Sequence, residues 1–212
     1  MRALSTSQVF IAEHVLLDGR LALFHEKENW LALADLHFGF ELSQRAAGNL
    51  FPLWGMQTIE QRLLELLGDY EPARLILLGD LVHDRAGGEA LSQLVTKLRA
   101  DREVILIAGN HDRHLQRVYV DLVRSWESDG FLFHHGDCPK EDRDGVQIIG
   151  HHHPAGIVSD GAGLRLKLPA FVQKKNCWIM PAFSPWAGGA VWPNDDEQTR
   201  VWLCSPERIL EI

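Results

Sequence analysis

The chain of 212 residues predicts an α/β fold in which two sheets pack within one domain. Three observations carry this expectation. The first half holds unbroken apolar runs, amphipathic stretches separate those runs, and the second half holds short apolar segments punctuated by Gly and Pro.

The apolar runs are Trp30-Leu31-Ala32-Leu33-Ala34, Leu75-Ile76-Leu77-Leu78 and Val104-Ile105-Leu106-Ile107. Runs that are continuous rather than alternating read as central strands buried on both faces. Each leads into a polar cluster at its carboxyl end: Asp35, Gly79-Asp80, and Gly109-Asn110-His111-Asp112. Between the runs, Ile59, Leu63, Leu66 and Leu67 share one helical face ahead of Gly68, which reads as the stop, and Leu91, Leu94, Val95 and Leu98 share another. Strands alternating with helices pair in parallel. In open α/β sheets ligands bind beyond the carboxyl ends of the strands, so the three polar clusters should converge on one crevice.

The second half offers Val146 to Ile149, Leu164 to Leu168, Trp178 to Met180 and Val201 to Cys204 as strands of a second, mostly antiparallel sheet. Segments around Val9 to Ile11 and Leu21 to Phe24 add strands near the N-terminus. Without an internal repeat or a linker, residues 1–212 read as a single domain.

Apolar residues at 46% and charged residues at 24% place the chain among globular proteins and away from disordered ones. Cys138, Cys177 and Cys204 are too scattered for a disulfide framework and contain no CxxC pair, so a reducing cytoplasm is the expected location. Arg2 is followed by polar Ser5, Thr6, Ser7 and Gln8 and then by a short apolar run, which suits neither a signal peptide nor a membrane span. A net charge of −8 and a pI near 5.7 argue against a protein that grips long duplex DNA through many phosphates. They argue less against an enzyme that meets phosphate at a metal site, because bound cations invert the local field.

Five segments carry metal-ligand chemistry: Asp35-Leu36-His37, Gly79-Asp80, Gly109-Asn110-His111-Asp112, His135-Gly136, and Gly150-His151-His152-His153-Pro154. Asp35 and His37 can reach one cation from a strand end, although a lone D-x-H is more often an ordinary loop. Asp80 has two carboxylate oxygens, enough to bridge cations roughly 3.5 to 4 Å apart, and as a lone residue it also reads as a turn or helix-capping aspartate. Asn110 offers a neutral oxygen where a further carboxylate would over-neutralise, and alone it reads as a turn residue. His151 and His153 flank His152 and can serve two neighbouring metals; an internal triplet between Gly150 and Pro154 does not resemble a terminal tag.

Taken in order on strand ends, this set resembles the calcineurin-like metallophosphoesterase superfamily. The resemblance implies a four-layer α/β/β/α sandwich with two mixed sheets and two divalent metal ions. Carried over by motif, Asp35, His37 and His153 bind the first metal, Asp80 bridges, and Asn110, His135 and His151 bind the second. The cations would activate a water and clamp the phosphate charge. His111 would protonate or stabilise the leaving oxygen, imidazole being a side chain suited to proton transfer near neutrality, and Asp112 would orient and charge that imidazole. His83 is a substrate-contact candidate, as is Arg45, for which an exposed helix arginine is the plain alternative. Many members read H-G-H where this chain has His135-Gly136-Asp137, which leaves a second histidine role unfilled and His134 as an alternative to His135.

A narrower resemblance is to the bacterial ligase-associated DNA damage response endonuclease family. It rests on Asp35-Leu36-His37-Phe38-Gly39-Phe40-Glu41 with Arg45 and Gly48, on Gly150 through Pro154, and on Met180-Pro181-Ala182-Phe183-Ser184-Pro185 before Gly188-Gly189. It implies a manganese-dependent phosphodiesterase and single-strand DNA endonuclease working beside a DNA ligase and a helicase, with no membrane. Phe183, Trp186 and Trp192 are candidates to stack bases, with core packing as the alternative. Arg165, Lys167, Lys174 and Lys175 form a local basic excess, or simply a solvated hairpin turn at Lys174-Lys175-Asn176. Two rival functions remain: hydrolysis of small nucleotide or sugar-nucleotide phosphodiesters or pyrophosphates, which the acidic charge favours, and a scaffold without catalysis, which the full ligand set disfavours.

Overall fold

The structure, a computed structural model, describes residues 4–117, 121–137, 145–193 and 196–212, so Cys138 lies outside the described residues. The first sheet runs in the order β1 (Gln8–Ala12), β2 (Val15–Asp18), β3 (Ala22–His25), β4 (Trp30–Ala34), β5 (Arg74–Leu78) and β6 (Glu103–Ile107). β1 to β4 form an antiparallel meander. β4, β5 and β6 are the three apolar runs, paired in parallel as their helical connections require.

Those connections hold α1 (Phe40–Ala46) and α2 (Gly55–Tyr70) between β4 and β5, and α3 (Gly88–Leu98) between β5 and β6. Ile59, Leu63, Leu66 and Leu67 of α2 and Leu91, Leu94, Val95 and Leu98 of α3 are buried in one core cluster with the sheet. Helix α2 does not stop at Gly68. It continues to Tyr70 and closes on Glu71, whose φ of 44° is left-handed and whose N–H reaches Leu67 O. Pro72 accounts for the later stop: the ring clash disfavours the right-handed helical region for the residue before a proline, whereas an interior glycine costs only about 1 kcal/mol.

The second sheet comprises β7 (Ser125–Ser128), β8 (Phe131–His134), β9 (Val146–Ile149), β10 (Pro154–Ser159), β11 (Arg165–Lys174), β12 (Cys177–Ile179), β13 (Ala190–Val191), β14 (Arg200–Cys204) and β15 (Ile209–Glu211). Its order is β13-β10-β11-β12-β9-β8-β7, with β14 beside β11 and β15 beside β14. Antiparallel pairs predominate, but β10–β13, β12–β9 and β8–β9 are parallel, which makes the sheet mixed. The parallel pairs matter for the site. Because β8, β9 and β12 run together, the residues that follow them, His135, Gly150 and Met180, all emerge at one edge. Lys174 ends β11, and Lys175 with Asn176 forms the turn into β12, so this basic stretch lies at a hairpin turn.

The sheets pack through Trp30, which is fully buried and meets Phe133 edge-on at 5.0 Å and Phe131 at 5.8 Å. The segment after β12 joins their edges. Met180 N–H donates to Ile149 O (2.7 Å), Phe183 N–H to Ala34 O (2.8 Å) and Ser184 N–H to Asp35 O (3.2 Å). No helix among the described residues is long and apolar enough to cross a membrane.

Trp30→Ala should lose about 4 kcal/mol of unfolding free energy, the cost of deleting a large buried ring. Trp30→Phe should lose far less, because it keeps a ring and removes an indole N–H that is buried without a partner. Urea melts of the two variants check this, and equal losses would show that the ring contact is not what joins the sheets.

Candidate metal centre

Every ligand candidate sits just beyond a strand. Asp35 and His37 follow β4, Asp80 follows β5, Asn110 and His111 follow β6, His135 follows β8, and His151 and His153 lie between β9 and β10. Their backbones are unusual. Of ten non-glycine residues at positive φ among the described residues, five are Asp35 (52°), His37 (43°), Asp80 (43°), His151 (67°) and His153 (43°). Each such conformation costs roughly 1 to 3 kcal/mol and persists only where its surroundings over-determine it. Left-handed turns aim Asp35 with His37 and separate His151 from His153.

The strained turns are cross-tied. His37 N–H donates to Asp80 O (2.8 Å) and Phe38 N–H to Leu81 O (2.9 Å). His111 N–H donates to Asp80 Oδ1 (3.0 Å) and His151 N–H to Asp35 Oδ2 (2.9 Å). Gly79 is required by a close approach: a Cβ there would lie 2.0 Å from His135 Nδ1, and its φ of 71° is itself left-handed.

The side chains form two groups that share Asp80. In one, His37 Nε2 lies 3.4 Å from His153 Nε2 and 3.9 Å from Asp80 Oδ2, and His153 Nε2 lies 3.7 Å from Asp35 Oδ2. In the other, His135 Nε2 lies 3.0 Å from Asn110 Oδ1, 3.0 Å from His151 Nδ1 and 3.4 Å from Asp80 Oδ1. The Asp80 oxygens thus face opposite groups.

This donor set fits metal ions. His135 Nε2 and His151 Nδ1 face each other and two acceptor oxygens, more lone pairs than the available protons can pair. Asp35 Oδ1 is buried without a hydrogen-bond partner. Burying charged or polar groups this way is costly unless something positive compensates them. Burial holds the His37 and His135 rings below the ordinary imidazole value, in the neutral form that ligates metal. Burial pushes the Asp35 carboxyl up. Burial pushes His153 down, but the hydrogen bond to Asp35 and its charge outweigh that and hold the ring above its ordinary value. The attraction that favours a proton there equally favours a cation.

His134, the alternative to His135, pairs instead through Nε2 with Gln147 Oε1 (3.0 Å). His83 reaches the site, stacked on His111 with ring centroids 5.2 Å apart. Arg45 does not line the cavity beside the site; it is exposed in the last turn of α1. Phe183 is fully buried beneath the Arg62 guanidinium at 4.8 Å, and Trp192 packs on Lys174 and His152. Of the three aromatic candidates, Trp186 alone borders that cavity.

Asp112 does something other than orient the His111 imidazole. Fully buried, its carboxylate accepts from the N–H groups of Gly109 (2.9 Å), Leu81 (3.0 Å) and Val82 (3.2 Å), clamping the loop after β5 to the loop after β6. Burial raises its pKa to about 6. The His111 ring is oriented by Nδ1 donating to His83 O (2.7 Å). A carbonyl can only accept, so the proton sits on Nδ1 and Nε2 is the atom left for other chemistry. Adjacency in sequence suggested the Asp112 pairing; the turn after Asn110 points the two neighbours apart.

Residues 30–204 match the calcineurin-like phosphoesterase family, and the chain belongs to it. It is a metal-dependent phosphoesterase, from a family whose members typically bind two divalent metals. Among solved structures it is similar to the nuclease MPE of Pseudomonas putida, with 26% identity and a TM-score of 0.74 over 93% of this chain and 94% of that one. It also matches Yfce, a phosphoesterase from E. coli, with 16% identity and a TM-score of 0.47 over 86% of this chain and 97% of that one. No curated protein sequence matches it.

Two outcomes are expected. Gly79→Ala should displace His135 and lower metal stoichiometry, measured by elemental analysis, together with turnover of a small phosphodiester. Asp112→Asn should lose about 2 kcal/mol of stability, because backbone donors are left facing an amide nitrogen. If Asp112 charged His111 instead, that variant would shift the pH–rate profile while melting like the parent.

Proposed function

We propose that this protein is a cytoplasmic, manganese-dependent endonuclease of single-stranded DNA, acting in DNA repair beside a DNA ligase and a helicase. The observation that carries this reading is the likeness to the Pseudomonas putida nuclease over nearly the full length of both chains. The resemblance to the ligase-associated endonuclease family supports the repair context and the choice of manganese. Imidazole, carboxylate and amide oxygen suit Mn²⁺ among several metals.

In this reading Asp35, His37, Asp80 and His153 hold one cation, and Asp80, Asn110, His135 and His151 hold the other. When bound, the cations supply Lewis acidity for the phosphate and an acidified water as nucleophile. The protein supplies the rest. Nδ1 of His111, fixed on His83 O, leaves Nε2 to give a proton to the departing oxygen. His83, stacked on that ring and kept neutral by burial, holds it against rotation without competing as a cation. Asp112 keeps the loops that carry Asp80 and Asn110 in register.

The test is hydrolysis of bis-p-nitrophenyl phosphate and of circular single-stranded DNA by metal-stripped protein, with Mn²⁺, Mg²⁺ or Zn²⁺ added back. Both should be cut with Mn²⁺, and neither by Asp80→Ala, which should also lose metal. His111→Ala should keep its metal and lose about 10² to 10⁴ in kcat. Turnover of the small diester alone would leave the phosphoesterase chemistry in place and move the substrate to small nucleotide phosphodiesters, the class that a net charge of −8 favours.

A further inference from the structure

We propose that Phe40, Phe51, Trp54 and Trp186 form a stacking shelf for an unpaired nucleobase beside the scissile phosphate; this rests on the nuclease reading above. The rings lead outward from the metal centre. His37 meets His83 at 5.7 Å, His83 meets Phe40 at 4.7 Å, and Phe40 lies 5.4 Å from Phe51 and 6.1 Å from Trp186, nearly parallel to the latter. Trp186 continues to Phe51 at 4.6 Å and to Trp54 at 4.2 Å. The series ends at the surface, where Trp54 is 45% exposed and Leu50, four residues earlier, is fully exposed.

A cavity of about 260 Å³ joins the two chemistries. His37, His111 and His153 line it, where a phosphate would meet the metals and the proton donor, and so do the rings of Phe40 and Trp186. An occupant needs an anionic group at one end and a flat apolar group at the other, which is the chemistry of a nucleotide. A paired, stacked base cannot offer its face sideways, so the shelf accepts unpaired bases and does so with little regard to sequence. The chain carries a net charge of −8, so broad attraction to a phosphate backbone is weak, and stacking is where affinity for a strand can arise.

The shelf is held in place at a cost that simple space-filling would not require. Glu41 is fully buried, and its carboxylate accepts from Trp186 Nε1 (3.2 Å) and from the Met56 N–H at the start of α2 (2.6 Å). Burying a carboxylate is unfavourable unless it is well partnered. Gly55 makes room for the same indole, since a Cβ there would lie 2.1 Å from Trp186 Nε1. One acidic side chain and one glycine therefore fix the angle of the Trp186 ring between α1, α2 and the segment after β12.

The test compares a short oligothymidylate with an abasic strand of equal length, using the full manganese-loaded protein. The parent should cut the base-bearing strand about tenfold more efficiently in kcat/KM, a difference typical of one stacked base, and mixing should quench tryptophan fluorescence. Trp54→Ala, a half-exposed position that should fold normally, should bring the ratio close to one by raising KM for the base-bearing strand, and should lose part of the quenching. Trp186→Leu provides a second variant. Equal cutting of both strands by the parent, or a ratio unchanged in Trp54→Ala and Trp186→Leu, overturns the shelf and leaves the nuclease reading in place. Turnover of a small diester with neither strand cut overturns the nuclease reading and the shelf with it.

Discussion

Two buried carboxylates and four imidazoles face one another across 3 to 4 Å at the joined edges of two sheets, and the rest of the structure is arranged around that confrontation. Lone pairs this close repel unless protons or cations lie between them. The fold must therefore hold the donors rigidly enough that they cannot relax apart. The shared residue is Asp80, each of whose oxygens serves one group.

Rigidity comes from three sources. Parallel pairing of β4, β5 and β6, and of β8, β9 and β12, brings consecutive strand ends to the same edge. Left-handed turns at five of the seven ligand candidates aim the side chains, and backbone hydrogen bonds between the loops stop those turns from relaxing. Asp112 adds a buried carboxylate that gathers three N–H groups from two loops. These devices resemble one another in principle: each uses backbone donors or steric closeness, so that the ligand side chains themselves remain available.

Beside this polar centre lies an aromatic one, and Glu41 joins them structurally. It sits one turn after the His37 loop and holds both Trp186 and the start of α2. The Pro181–Pro185 segment closes the two sheets beneath Asp35 through Phe183 and Ser184. The placement of the rings around the cavity thus depends on the same crossing that aligns the turn carrying Asp35 and His37.

The sequence by itself determined the central strands, the faces of α2 and α3, and the identity of the polar residues at the strand ends. Long Val, Ile and Leu runs and helical periodicity are local signals of burial, and a loop that follows a buried strand has few places to go. Tertiary structure alone decided the partners. Turning Asp112 from His111 to three backbone amides, leaving Arg45 outside the cavity, and collecting Phe40, Phe51, Trp54 and Trp186 on one shelf all depend on loops from distant positions meeting at fixed angles. The end of α2 was missed because Pro72 acts on the backbone of Glu71, a stronger stop than the conspicuous Gly68. Sequence neighbours share a backbone but not a direction, and at left-handed turns the direction is set by what packs against them.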